Sequence, residues 1–226
     1  MCARFTLGQE SAVIKKRFGL AGEIPRLAPR YNLAPSQKAA VITGGGQRSL
    51  SFFQWGLAPR WAKDPKIGRK LINARGETAH QKPSFREAFQ KRRCLVPADG
   101  FYEWQSQGKS KRPFHFHLAG QGLFAFAGLW ETWAGPESEL ATFCILTTAP
   151  NALVARVHDR MPVILRPELE DAWLAEGPLP EQTRLAVLAP FPARDMASHP
   201  VSSRVNSPAQ EGPELAQPAS RQGYLF

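Results

Sequence analysis

Cysteine is scarce in this 226-residue chain: there are three, at Cys2, Cys94 and Cys144. An odd count with no CxxC pair argues against a disulfide scaffold. Long apolar runs are missing as well. The first twenty residues carry Arg4, Glu10, Lys15, Lys16 and Arg17 among the apolar positions, which excludes a secretory h-region. No later stretch is long or apolar enough to span a bilayer, so the expectation is a soluble, cytoplasmic protein without a membrane partner. The only glycine run, Gly44-Gly45-Gly46, lacks the lysine and helix signature of a phosphate loop, so no nucleotide cofactor is expected. There is no GxSxG nucleophile elbow and no repeat of 20 to 50 residues.

Acidic residues are scarce in one half only. Residues 1–113 hold 22 Lys+Arg against 7 Asp+Glu, and the remainder holds 7 against 12. A net charge of +10 concentrated in this way favours a polyanion, and with aromatics interleaved among the cations the leading candidate is nucleic acid. An ordinary solvated basic surface is the competing reading.

Hydrophobic periodicity predicts a short amphipathic helix over residues 10–18 and a hairpin of strands 39–43 and 49–57 turned at the glycine run. Ser84 and Glu87 fit a capping box opening a helix that runs to about Arg93, with Phe85, Ala88 and Phe89 on one face. A strand follows at 94–96, a second hairpin at 114–118 with 123–130, and further strands at 143–147 and 161–165. Short helices are predicted at 150–157 and 167–176, the latter stopped by Gly177. Strands in hairpins without βαβ alternation argue for an α+β fold, with a largely antiparallel sheet or partly closed β-barrel core and short flanking helices. One domain is expected over residues 1–206. The Pro/Gln/Ser/Ala-rich remainder, 207–226, is expected to be a disordered tail.

The start Met1-Cys2-Ala3 carries distinctive chemistry, because methionine is trimmed when the next side chain is small. Removal leaves an α-amine, titrating near ~7.7–8.0, beside a thiol near ~8.5. Such a 1,2-aminothiol condenses with an aldehyde through an imine to a thiazolidine ring. An idle thiol behind a retained methionine is the alternative. Cys94 and Cys144 read as buried small hydrophobes. In Asp99-Gly100-Phe101-Tyr102-Glu103-Trp104, a Glu103 facing inward among aromatics has a raised pKa suited to general acid and base work; facing outward, it is a surface residue. His158, in His158-Asp159-Arg160, suits proton transfer near neutral pH or a structural loop role. Asn73 offers an amide for positioning, or a turn. His115 and His117 share a strand face, but no third ligand is suggested nearby, so a surface strand is expected rather than a metal site.

Eight segments in order, MCARF, NLAPSQ (32–37), NARGET (73–78), PSFREAF (83–89), RCLVPADGFYEW (93–104), FAGLWE (126–131), ILTTAPN (145–151) and HDRMPVIL (158–165), resemble the SRAP family of SOS-response-associated, abasic-site-processing proteins over residues 1–206. The resemblance implies loss of Met1 and binding of single-stranded DNA in a basic cleft. It also implies a thiazolidine crosslink between Cys2 and the ring-opened aldehyde of an abasic site, shielding the lesion in the DNA damage response. By the same likeness Asn73, Glu103 and His158 complete the catalytic set, with an associated AP-lyase activity and autocatalytic Met1 removal, and with no metal or cofactor. Arg4, Arg75 and Arg160 would grip phosphates, and Pro35, Trp61 and Trp104 would wedge or stack bases, unless the tryptophans pack in the core. The family usually has glycine where this chain has Ala3; if that position needs positive φ, alanine strains the N-terminus. Gln222-Gly223-Tyr224-Leu225-Phe226 resembles peptides that dock on the replication sliding clamp. The expected protein is a monomer, nucleoid-associated when DNA-bound. An N-terminal-nucleophile cysteine peptidase and a non-catalytic single-stranded nucleic-acid-binding module are the competing functions.

Overall fold

A computed structural model describes residues 2–44, 47–108, 110–135 and 139–219. Its strands are β1 (Phe5–Leu7), β2 (Arg30–Leu33), β3 (Lys38–Thr43), β4 (Ser49–Trp55), β5 (Asn73–Arg75), β6 (Arg93–Ala98), β7 (Gly100–Gln107), β8 (Ser110–Leu118), β9 (Phe124–Ala134), β10 (Glu139–Thr148), β11 (Met161–Pro162), β12 (Ile164–Leu165) and β13 (Met196–Pro200). Strands β10, β4, β3, β6 and β9 pair in that order, and β9 pairs back onto β10, closing a five-stranded barrel. Closure removes the exposed edges that such strands would otherwise present. All pairings are antiparallel except those of β4 and β5 with β10. The second sheet has the order β13-β8-β7-β1-β2. The α+β class with a closed barrel and short helices is therefore what the molecule has.

Alternation along β7 and β8 decides how the two sheets meet. Phe101 stands opposite Phe116, and Tyr102 opposite His115. The Phe101 and Phe116 rings stack at 5.1 Å, and Phe101 meets Phe126 of the barrel edge-on at 6.1 Å, while Phe5 meets Trp55 at 5.2 Å. One face of the second sheet thus packs on the barrel. The other face, bearing Thr6, His115 and His117, turns away from it.

Helix α1 (Ser11–Phe18) buries Ile14 and Phe18, four residues apart, and ends at Gly19 in the left-handed conformation with φ 61°. Helix α3 (Arg86–Lys91), which follows the single turn α2 (Gly76–Ala79), buries Ala88 and Phe89 as expected. The expected capping box is not formed: Phe85 holds the cap position, and Glu87 pairs with Arg92 at 3.1 Å. Helices α4 (Glu170–Leu174) and α5 (Glu181–Leu188) follow, the first continuing a 3-10 turn at Pro167–Leu169. The segment expected as a helix at 150–157 is a 3-10 turn, Val154–Arg156.

Two further expectations are overturned. The 114–118 segment does not form a hairpin with 123–130; β8 pairs with β7 and β13, while β9 pairs with β10 and β6. The turn at Gly120-Gln121-Gly122, where Gln121 has φ 51°, carries the chain from one sheet to the other. The second concerns residues 207–219, expected to be disordered. Asn32 Nδ2 donates to the Ser207 and Gln210 carbonyls at 3.0 and 2.8 Å, a 3-10 turn forms at Pro213–Ala216, and Leu215 is 0% exposed. One buried leucine and satisfied backbone groups outweigh a polar composition. The clamp-like Gln222–Phe226 lies outside the described residues. No helix among the described residues is long and apolar enough to cross a membrane.

Candidate active site

The start of the chain runs beside β7. Phe5 pairs with Phe101 and Thr6 with Gly100, and the Tyr102 N–H donates to Arg4 O at 3.0 Å. Continuing that register sets Ala3 opposite Glu103. Ala3 is not among the residues with positive φ, so the backbone at this position accepts alanine without left-handed strain.

Cys2 is 0% exposed, its Sγ lying 3.9 Å from Arg4 O. Burial pushes its thiol well above the ordinary range, and the Glu103 carboxylate pushes it further. The thiol is held protonated until a base takes its proton. Asn73, at the first position of β5, donates from Nδ2 to the Cys2 carbonyl at 2.7 Å. Parallel pairing of β5 with β10, Asn73 opposite Ile145, fixes where that amide stands. Its Oδ1 is buried with no hydrogen-bond partner among the described residues, an acceptor that a ligand hydroxyl or amine would satisfy.

Glu103 takes the inward of its two possible orientations, sharing the parity of Phe101, and is 2% exposed. Burial raises its pKa, opposed by His158. His158 Nε2 lies 4.0 Å from Glu103 Oε2. The Arg160 N–H donates to His158 Nδ1 at 3.0 Å, which places the proton of the neutral ring on Nε2, the nitrogen facing Glu103. Asp159 Oδ1, on a well-exposed side chain, lies 2.9 Å from Nδ1. Gln105 Nε2 donates to Arg156 O at 2.8 Å and ties β7 to the loop that carries His158. The residues before β1, the first residue of β5, the middle of β7 and a loop therefore bring Cys2, Asn73, Glu103 and His158 together. They form a thiol, an amide, a desolvated carboxyl and an imidazole in one patch.

The residues expected to contact DNA divide. Arg75 is exposed at the end of β5, and Trp61 is 60% exposed. Pro35 is half-buried at the turn before Ser36, which has φ 70°. Arg160 makes a two-point ion pair with Glu77 at 2.7 and 2.8 Å and donates to Thr147 O. Trp104 is half-buried, and its Nε1 donates to Asn206 Oδ1 at 2.7 Å. Arg4 departs from the expectation of an exposed phosphate contact. It is 9% exposed, donates to Asn32 Oδ1 at 2.7 Å and Val205 O at 2.6 Å, and stacks over Trp104 at 5.9 Å. Arg4 therefore tethers the 202–207 segment to β2 through Nη1, while its Nε is buried with no hydrogen-bond partner among the described residues.

Around Trp61 the structure displays cations that the sequence reading passed over: Arg60, Lys63, Lys66, Arg69 and Lys70 are all exposed. Gly56 makes this possible. It has φ 128°, and a Cβ there would lie 2.6 Å from Gly68 O, so the 3-10 turn Pro65–Lys70 crosses directly over the end of β4. The signal available in the sequence was the density of lysine and arginine between 60 and 70.

The sequence matches the family described as SOS response associated peptidase (SRAP) over residues 1–208. It is 46% identical over 222 residues to the Bacillus subtilis protein named abasic site processing protein YoqW, covering 96% of this chain and 99% of that one. It is 34% identical over 228 residues to abasic site processing protein YedK of Escherichia coli, covering 96% and 100%. It is 30% identical over 226 residues to abasic site processing protein HMCES of Xenopus tropicalis, covering 85% and 67%. A solved protein from Bacteroides thetaiotaomicron superposes with a TM-score of 0.87 at 28% identity, covering 97% of this chain and 100% of that one. One from Bordetella bronchiseptica gives 0.75 at 26%, covering 89% and 100%.

Proposed function

The chain belongs to the SOS response associated peptidase (SRAP) family, and from that premise we propose that it processes abasic sites in single-stranded DNA by covalent capture through Cys2. The observation that carries the reading is the grouping of a buried thiol at the chain start with Asn73, Glu103 and His158.

Removal of Met1 frees the Cys2 amine. That amine attacks C1 of the ring-opened deoxyribose, and the carbinolamine loses water to give an imine. The Cys2 sulfur then adds to the imine carbon, its proton passing to the nitrogen, and the thiazolidine closes. Glu103 is the natural carrier of these protons, because burial raises its pKa towards the working range of a general acid and base. His158, with Nε2–H facing Glu103, would serve the sugar oxygen in ring opening or support a β-elimination step. Asn73 holds the Cys2 carbonyl and keeps Oδ1 for a sugar hydroxyl or the amine. Arg75 and the exposed cations around Trp61 supply the electrostatic grip on a single strand, with Trp61 as a stacking platform.

The test mixes full-length protein, with Met1 removal verified by intact mass, with single-stranded oligonucleotides carrying an abasic site or a normal base. The expected product is a heat-stable one-to-one adduct, seen only with the abasic strand and absent in Cys2→Ala. Persistence of the adduct in Cys2→Ala, or none with the native chain, overturns the proposal.

A further inference from the structure

On the face of the second sheet that turns away from the barrel, β13 supplies what the sequence did not suggest. His199 pairs directly with His115 across the β8–β13 ladder, and His117 lies two residues along the same strand and face. One ring nitrogen from each of the three lies within 4.8 Å of the other two. The ring centroids form a nearly equilateral triangle, 5.6, 5.5 and 5.5 Å on its sides. An ion about 2.1 Å from a ring nitrogen sits roughly 3.2 Å from the ring centre, so three imidazoles at tetrahedral angles have centres about 5.2 Å apart. The triangle is already near that size.

Each ring also has one nitrogen committed and one left over. His117 Nδ1 is bonded to Leu118 O at 2.8 Å, and His199 Nε2 to Ala216 O at 2.8 Å. A carbonyl on one imidazole nitrogen fixes the tautomer and turns the other nitrogen into a ligand. His115 Nε2 lies 3.5 Å from Thr6 Oγ1, over Gly100, where a side chain would collide with it. His115 Nδ1 has no hydrogen-bond partner among the described residues, although the residue is only 6% exposed. A buried, unpartnered ring nitrogen in a cluster of three imidazoles is costly unless something binds it.

We propose that His115, His117 and His199 bind a divalent transition-metal ion, Zn²⁺ in the first instance. The fourth position faces the adjoining cavity of about 410 Å³, which Asp99, Gln9 and Gln121 also line. Three neutral nitrogens suit zinc and its neighbours, whereas magnesium and calcium call for oxygen ligands. The site is distinct from the Cys2 patch: Glu103 pairs with Phe114 and faces the barrel, while His115 pairs with Tyr102 and faces the opposite way. The ion ties β8 to β13 and, through the His199–Ala216 bond, to the segment that closes over this face. It is a structural clasp rather than a part of the DNA chemistry, and it does not rest on the proposed crosslinking.

The test is titration of the chelator-treated full-length chain with Zn²⁺ by calorimetry and with Co²⁺ by visible absorption, with Tm followed in parallel. One equivalent should bind, raising Tm, with a tetrahedral or five-coordinate Co²⁺ spectrum free of thiolate charge-transfer bands. His117→Ala and His199→Ala, both at half-buried positions and checked for native circular dichroism, should each weaken Zn²⁺ by at least about tenfold. Cys2→Ala should bind as the native chain does. Zinc K-edge spectra of the native protein count imidazole ligands without any substitution, and three are expected. No binding to the native chain, unchanged affinity in both histidine variants, or loss of binding in Cys2→Ala overturns the proposal.

Discussion

Glu103 shows how a residue becomes chemical through its surroundings. Its folded pKa lies above the ordinary 4.5 because burial disfavours the carboxylate. The folded chain thus holds this proton to higher pH than the unfolded chain. Stabilisation from it is complete below about pH 4.5 and is lost as pH rises through the folded value. Glu103→Gln, which needs no proton to stay neutral, is therefore expected to be more stable than the native chain at neutral pH. The Tm difference should grow between pH 4.5 and 8 in thermal denaturation. The same variant should slow adduct formation by about a hundredfold or more, as loss of a proton carrier does. Gain of stability with loss of rate separates this role from simple packing. The identity of Glu103 as a candidate was legible in the sequence, but its orientation was not. One strand residue of shift would have faced it outward, and only the pairing of β7 with β1 and β8 sets that parity. Arg4 is the converse. An arginine two residues from Cys2 reads as a phosphate contact, yet Asn32 and Val205, distant in sequence, accept from its Nη1.

At the scale of elements, local periodicity found what local periodicity builds. Helix α1, the β3–β4 hairpin and the apolar face of α3 were all legible, because each repeats its pattern over enough residues to be seen. Strands β1, β2 and β5 have three or four residues, too few for a period, and exist because partners elsewhere complete their ladders. Strand β13, at five residues, is held along its whole length by β8. Arg93 is another such long-range device. Its guanidinium donates to carbonyls of Phe89, Gln90, Trp173, Ala175 and Gly177, closing the ends of α3 and α4 against β6. Arg93→Met removes the donor from the buried Phe89 and Trp173 carbonyl contacts and unties Gln90, Ala175 and Gly177. It is expected to cost about 2–4 kcal/mol in urea denaturation, on the scale of a lost charge-assisted hydrogen-bond group.

For the whole molecule, the charge asymmetry acquires a location. Lys63, Lys66 and Lys70 stand exposed around Trp61 on the loop that crosses the end of β4. If each neutralises one phosphate, replacing all three with alanine should make the slope of log K against log salt shallower by about 2, at ~0.7 per contact on a single strand. Fluorescence anisotropy of a labelled oligonucleotide across a salt series measures it. Composition pointed to a polyanion, to an α+β class and to an N-terminal aminothiol, since counts, periods and the order of the first residues need no tertiary information. Folding alone decided which candidates meet. The barrel closes β9 onto β10 and so brings Asn73 to Cys2, β7 turns Glu103 inward towards His158, and β13 carries His199 to His115 and His117 from more than eighty residues away. Those encounters depend on strand register between distant segments, which contact between their backbones establishes and no local pattern encodes.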